Sequence, residues 1–478
     1  MAPIRGSVGR RFVYQYGHGT INVVPEKTIL DGFSMEERTT TLDRVSMQRS
    51  MRICIIEGMF ANASENMIGP FLALFALALG ATKGQVGLLA ALPALISNSL
   101  QIPSARLTEY WGDRKRLVVI TATISRLMVI AIATVPLMLK GDAAIYVFIS
   151  LVTLRGLFSS IGVPGWTSIM ADITPRDSRG SYFAFRNMLC NIAALSGTLL
   201  AGWLVRTYDF PIGYQVSFLL AVTVGLVSSY YFSKVPIPPM PRRSVHRQGP
   251  TGIKSWWGTI SRYTAFRNYC LTSILWNFGV NFAGPLFPVY YRQDLGGDPG
   301  FWGVVTASGL IATLIGQRYW GRLADRYGQK NVMLVGGIGA ASVPFFWFFV
   351  PRWELAPVAQ FLGSFCWGGY NLAAFNLILE ITPDEERTTF VGVYNTMAGL
   401  ASSMGPLAGG YLADVFGLRP VIIISGLLRW LGYFAFKTIV PSASDTKLHW
   451  SALIPFGHEM QLSQKLRELT RKDSGIEQ

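Results

Sequence analysis

Twelve runs of about twenty predominantly apolar residues recur along the chain, near 51–79, 84–105, 117–139, 143–169, 181–205, 214–234, 266–291, 300–320, 331–350, 354–380, 390–413 and 420–440. A hydrocarbon core about 30 Å thick is crossed by a helix of roughly 20 apolar residues, so each run is long enough for one membrane span. Half of the 478 residues are apolar and only 14% are charged, against roughly 25% charged in an ordinary soluble domain. A large soluble all-helical protein is the alternative, and the placement of the basic residues argues against it. The two tails and the even-to-odd connections hold thirty-one of the forty-two Lys and Arg. The opposite side holds six, namely Lys83, Lys140, Arg206, Arg292, Arg352 and Arg419, and five lie within spans, the span-end residues Lys234, Arg267, Arg318 and Lys437 being counted with the connections and tail they adjoin. By the positive-inside rule both termini are then cytoplasmic, in a multi-pass protein of the cell membrane. The formal charge of +15 would by itself suggest nucleic acid. Its confinement to particular loops assigns it to topology instead, and no nucleic-acid partner is expected.

The chain is also a duplication. Arg106-Leu107-Thr108-Glu109-Tyr110-Trp111-Gly112-Asp113-Arg114 is echoed 216 residues later by Arg322-Leu323-Ala324-Asp325-Arg326-Tyr327-Gly328-Gln329-Lys330. Asp172-Ile173-Thr174-Pro175 through Arg179 and Asn187 recurs as Glu380-Ile381-Thr382-Pro383 through Arg387 and Asn395. Two matches in the same order divide the protein into two related bundles, and paired bundles around a central site are the architecture of alternating-access transporters. The expected organisation is a cytoplasmic tail over 1–50, a six-helix bundle over 51–234, a cytoplasmic linker over 235–265, a second bundle over 266–440 and a cytoplasmic tail over 441–478. The first fifty residues read as a flexible tail. In the linker, Ile253, Trp256, Trp257, Ile260 and Tyr263 at helical spacing suggest an amphipathic helix on anionic lipid, a solvated loop being the other reading. Leu448 to Arg471 suggests a short surface helix.

The chemistry of enzymes is missing from the pattern. The four histidines, His18, His246, His449 and His458, fall in tails or linker, which disfavours a buried histidine relay or metal site. The glycine-rich copies lack a phosphate-binding Gly-Lys-Ser/Thr sequence, so ATP-driven pumping is not supported. Cys54, Cys190, Cys270 and Cys366 lie inside apolar segments without zinc or disulfide spacing and read as packing residues. No cofactor or metal is expected. The first apolar run starts after fifty polar residues, so the first span is expected to remain as a helix.

The second loop copy, Gly321-Arg322-Leu323-Ala324-Asp325-Arg326-Tyr327-Gly328-Gln329-Lys330, closely resembles the signature loop of the major facilitator superfamily. The resemblance covers 51–440 and implies two six-helix bundles rocking about a midplane cavity. The first copy departs from the pattern, with Ala105 for the first glycine and Glu109 for the aspartate. Arg155 in Leu151-Val152-Thr153-Leu154-Arg155 resembles the family's arginine in span 4. Gly405-Pro406-Leu407-Ala408-Gly409-Gly410 resembles a glycine-proline motif of exporters, but in span 11 rather than span 5, so it equally reads as close helix packing. Gating is expected from Arg106, Glu109, Gly112, Arg114, Gly321, Asp325, Arg326, Gly328 and Lys330. A carboxylate at the mouth can hold an arginine or a helix N-terminus in one state and lose it in the other. The plainer reading is that the glycines permit tight turns and the basic residues set topology.

A charge at the centre of a membrane helix costs roughly 2.5 to 3.5 kcal/mol, so each one needs a partner, water or a function. In span 1, Asn62, Glu65, Asn66 and Gly69 share one helical face, with Glu57 about 80° from Glu65 at 100° per residue. Glu65 falls near the midplane and, with Glu57, is a candidate proton carrier; an ion pair with Arg155 or Arg126 is the competing role. Arg155 and Arg186, the latter in a stripe with Asn187 and Asn191, are candidates for holding an anionic group or for clamping those glutamates. Arg126 and Arg429 lie in spans that the resemblance places outside the cavity, where they pair across a helix interface or snorkel. In the second half Trp276, Asn277 and Asn281, then Trp367, Tyr370 and Asn371 with Gln360 and Ser364, combine amides with flat rings, a mixture suited to an organic solute. Satisfied interhelical packing is the alternative for each. The expectation is an all-α secondary transporter of a small organic solute, proton-coupled, for which one copy suffices. Export of amphipathic compounds is the runner-up, followed by a non-transporting receptor or scaffold.

Overall fold

The computed structural model describes residues 12–17, 20–25, 35–175, 178–236, 263–382 and 387–440. The expected amphipathic helix of the linker and the surface helix after Leu448 lie outside them. One hairpin is present, β1 (Phe12–Gly17) against β2 (Thr20–Pro25), antiparallel with Phe12 opposite Pro25 and Gly17 opposite Thr20. Twelve helical spans come after it. Span 1 consists of α1 (Met35–Ile68) and α2 (Leu72–Ala78), and spans 2 to 6 are α3 (Lys83–Trp111), α4 (Arg114–Met138), α5 (Gly141–Ile173), α6 (Arg179–Thr207) and α7 (Ile212–Ser233). Span 7 consists of α8 (Thr264–Ala283) and α9 (Phe287–Gln293), and the rest are α10 (Trp302–Tyr327), α11 (Gln329–Phe348), α12 (Ala356–Glu380), α13 (Arg387–Phe416) and α14 (Leu418–Ile439).

Two features depart from the expectation for the N-terminal fifty residues: the hairpin, and the start of α1 at Met35 rather than near 51. The apolar run marks where a helix enters lipid, whereas the helix itself runs on through the polar but helix-compatible segment Met35-Glu36-Glu37-Arg38 and onward.

Helices suit the membrane because every backbone group is satisfied within the span. Six of them, α4, α5, α6, α7, α11 and α14, are long and apolar enough alone to cross a bilayer. Spans 1 and 7 are broken instead, by Gly69-Pro70 and Gly284-Pro285, each forming a single 3-10 turn. Proline removes the N–H and crowds the preceding turn, so the α-helical bonding of both spans is interrupted at equivalent points. Outward faces carry exposed apolar side chains such as Leu427, Leu431 and Phe434 on α14, as lipid contact requires.

The main packings within one half have counterparts in the other. α1 lies against α6 and α7 as α8 lies against α13 and α14, and α5 against α3 and α4 as α12 against α10 and α11. Local devices repeat too. The Lys115 ammonium donates to the Val235 carbonyl, and Lys330 to the Val440 carbonyl, tying the start of span 3 or 9 to the end of span 6 or 12. Asn62 and Asn66 donate to the carbonyls of Gly58 and Asn62, as Asn277 and Asn281 donate to those of Ser273 and Asn277, at 2.8 to 2.9 Å.

The halves meet along α3 with α13 and along α6 with α10. Call the face with the loops at Gly112 and Gly328 the basic face. The contacts then concentrate toward the opposite face, where the backbones touch. A Cβ on Gly87 would stand 2.3 Å from the Pro406 carbonyl oxygen, and one on Gly202 2.5 Å from that of Gly300. Asp414 completes this seam from α13. Its carboxylate accepts from the Lys83 N–H at 2.9 Å, the Gly84 N–H at 2.8 Å and the Thr82 hydroxyl at 3.1 Å, capping the N-terminus of α3 in the other half. The largest buried core, with Phe71, Phe75, Phe148, Tyr290, Tyr291 and Trp347, lies at this same end.

Candidate functional site

Of the α1 face Asn62, Glu65, Asn66 and Gly69, only Asn62 and Glu65 border a cavity, and it lies inside the first half. They wall this cavity of about 290 Å³ together with Ser64, Ser125, Arg126, Arg155 and Ser159. Glu65 is ion-paired with Arg155 across α1 and α5; the acid side chain is 59% exposed and the base 13%. Asn66 lies one turn on, half-buried, with its amide spent on its own helix.

Glu57, two turns toward the basic face, is buried, and its carboxylate lies 3.5 Å from the Arg186 guanidinium. Its Oε1 accepts from the Ser228 hydroxyl at 3.1 Å, while its Oε2 has no hydrogen-bond partner. Arg186 is itself buried, donates to the Cys54 carbonyl at 3.2 Å and stacks over Trp166 with 5.2 Å to the ring centroid. The buried pair is thus a clamp between α1 and α6, and Arg186 does not line the larger cavity. A second cavity of about 160 Å³ lies on that side, walled by Glu57, Thr121, Arg126, Ser159, Trp166 and Ser229 among others.

Arg126 borders both cavities. It neither snorkels nor forms an ion pair among the described residues; its guanidinium donates to the Ser229 and Ser228 hydroxyls on α7. Ala122, Ser125, Arg126 and Val129 all wall the larger cavity and fall at i, i+3, i+4 and i+7, so the inward face of span 3 was present as a helical period. Arg429 in the second half is buried and donates to the Ala340 carbonyl at 3.2 Å and the Val280 carbonyl at 3.0 Å, bracing the Gly284-Pro285 break.

The second-half candidates do not join that cavity. Trp276, Trp367 and Tyr370 stack on one another, with centroids 4.5 to 6.0 Å apart and planes within 24°. Trp276 is 4% exposed and packs with Ala340, Ala341 and Tyr433. Trp276 and Tyr370 border a void of only about 10 Å³. The stack therefore joins α8 to α12 as a packed wall. Asn277 and Asn281 are half-buried and Asn371 is exposed, while Gln360 donates to Ser364 at 3.3 Å.

The loop residues divide by copy. Gly112 ends α3 with φ +75°, a left-handed conformation that favours glycine, and Asp113 then caps α4 through the Arg116 N–H at 3.0 Å. Arg114 is buried, donates to Ser168 and pairs with Asp172 at 2.7 Å, so it holds α4 to the end of α5 within one half. Arg106 and Glu109 are exposed. In the second copy Gly328 turns the chain with φ +81°, Gly321 faces open space, Asp325 and Arg326 are exposed, and Lys330 makes the tie to Val440. The inter-half carboxylate cap is Asp414 rather than Glu109 or Asp325 in this conformation, a role that nothing local to Asp414 announced.

A family model described as Major Facilitator Superfamily matches residues 55–282 and 269–456. Among curated proteins, the chain is 35% identical over 130 residues to the multidrug resistance protein MdtG of Dickeya zeae, 27% of this chain and 31% of that protein. It is 30% identical over 177 residues to the protein of the same name from Salmonella choleraesuis, 34% of this chain and 43% of that protein. The matched stretches thus span less than half of these relatives. Among solved structures, the nucleoside transporter NupG superposes with a TM-score of 0.64 at 10% identity, over 83% of this chain and 99% of that one.

Proposed function

Because the chain belongs to the major facilitator superfamily, we propose that it is a secondary active transporter that carries a small organic solute across the cytoplasmic membrane by alternating access, driven by protons. In this reading the basic face is cytoplasmic, and the seam at Gly87, Gly202 and Asp414 is the closed outer gate. The observation that carries the reading is the Glu65–Arg155 pair on the wall of the 290 Å³ cavity. A carboxylate at the middle of a span, exposed to a cavity and resting on a nearly buried arginine, can take a proton and release its partner. Moving one charge through 100 mV is worth about 2.3 kcal/mol, enough to drive uphill movement of a solute.

The test is a set of proteoliposomes with a pH-sensitive dye inside, given candidate solutes with and without an imposed pH gradient. Solute-dependent proton movement is the expected result, and its absence with every solute that the protein moves would remove the coupling. The likeness to multidrug resistance proteins favours a second reading, export of amphipathic compounds. Hypersensitivity of a deletion strain to lipophilic compounds, without any nutrient requirement, would select it.

A further inference from the structure

The two cavities of the first half share Ala122, Arg126 and Ser159. They form a row from the level of Glu57 to the level of Glu65, walled by α1, α4, α5 and α7. Two guanidinium groups line this row, Arg126 and Arg155, with the carboxylates of Glu57 and Glu65, and a third, Arg186, lines neither cavity but is held against Glu57 from α6. Arg155 is matched by Glu65 and Arg186 by Glu57. Arg126 has no carboxylate within 4.0 Å among the described residues, and reaches Glu57 only through the Ser228 hydroxyl. With both glutamates ionised, the row together with the Arg186 that neutralises Glu57 carries one unmatched positive charge, that of Arg126, placed where charge is costly.

We propose that Arg126 is the seat for the acid group of a small organic anion, a carboxylate or phosphonate, held inside the first half rather than in the crevice between the halves. The proposal names the solute class for the transport reading, and rests on that reading for every step after binding. A guanidinium offers five N–H donors in a planar fork that fits an acid group through two parallel bonds, and Arg126 spends only part of that fork on two hydroxyls. Ser125 and Ser159, with Asn62 beside them, supply polar wall for the remainder of the solute. A cavity of about 290 Å³ is at the small end of the roughly 300–1,000 Å³ of ligand pockets, which limits the body to a few carbons or one ring. An anion neutralises the row, whereas a cation adds to its imbalance, so the site selects by sign of charge.

The test heats the purified full-length protein in detergent with acetate, benzoate and phenylphosphonate, beside acetamide, benzamide and benzylammonium at equal ionic strength. At least one acid is expected to raise Tm by about 2 °C or more where its neutral and cationic counterparts do not. Arg126→Gln should abolish that rise and Arg126→Lys keep part of it. The proposal is overturned if no acid exceeds its neutral counterpart, or if Arg126→Gln responds like the parent. Should Arg126→Gln fail to fold, the difference in emission between the parent and Trp166→Phe is followed as acid is added, and a flat difference overturns it equally. Binding in detergent needs no flux. A protein that binds acids but shows no counterflow would sink the transport reading alone, and one that moves neutral solutes without binding acids would sink only this site.

Discussion

Glu65 and Arg155 form an ion pair in which the acid is 59% exposed and the base 13%. If transport is proton-driven as proposed, this inequality would let a proton reach the carboxylate from the cavity without Arg155 moving first. Glu65→Gln is expected to lose accumulation driven by a pH gradient, about tenfold per unit of gradient, while exchange at equal pH continues near the parent rate. Isotope uptake into proteoliposomes under both conditions checks it, and unchanged accumulation would exclude Glu65 from coupling.

The Glu57–Arg186 pair is buried on both sides, so removing one partner leaves a charge stranded. Arg186→Met should cost about 3–5 kcal/mol of stability, and Glu57→Met with Arg186→Met should recover most of it, since an apolar pair of similar volume replaces a buried ion pair with little loss. Thermal unfolding in detergent compares the two. A double variant no more stable than the single one would mean that the pair does more than hold α1 to α6.

Asp414 accepts three hydrogen bonds from the start of α3 across the seam. Losing such a cap costs about 1 kcal/mol at an exposed helix start, roughly a fivefold change in population. Asp414→Ala should therefore move the protein toward a state open at the opposite face. Spin labels at Tyr208 and Leu355, both exposed near that face in different halves, should show a larger fraction of long distances; an unchanged distribution would count against the cap as a latch.

Gly87→Val should act in the same direction and more strongly. Its Cβ would meet the Pro406 carbonyl at 2.3 Å, a backbone contact that cannot rotate away. The same label pair should read mostly long distances, and counterflow should largely disappear. Normal counterflow in this variant would show that the seam need not close during transport.

Much of this was visible in the residues. Asn62 and Glu65, one turn apart on α1, both border the cavity of the first half, and the few charges in the spans narrow the partner of Glu65 to Arg155 or Arg126, of which the structure shows Arg155. Arg126 bonds across a helix interface, to Ser228 and Ser229 on α7, which was one of its two readings, while its helical period with Ala122, Ser125 and Val129 marks the wall of the cavity inside the first half. Trp276 and Tyr370 show a different limit: a ring is equally at home beside a solute or beside another ring, and only the neighbours from α11 and α14 reveal which. Asp414 is further still from local inference, since its partners are about 330 residues away in the chain.

The lysine ties have a practical consequence. Val235 and Val440, whose carbonyls hold Lys115 and Lys330, are both nearly inaccessible, and each is where the chain leaves its half. A load attached directly after Val440, such as a fluorescent reporter or a surface anchor, would pull on Val440 and through Lys330 on the opening turn of α11. Recordings from tethered molecules would then measure the strain of the attachment along with the protein, unless a generous spacer precedes the fusion.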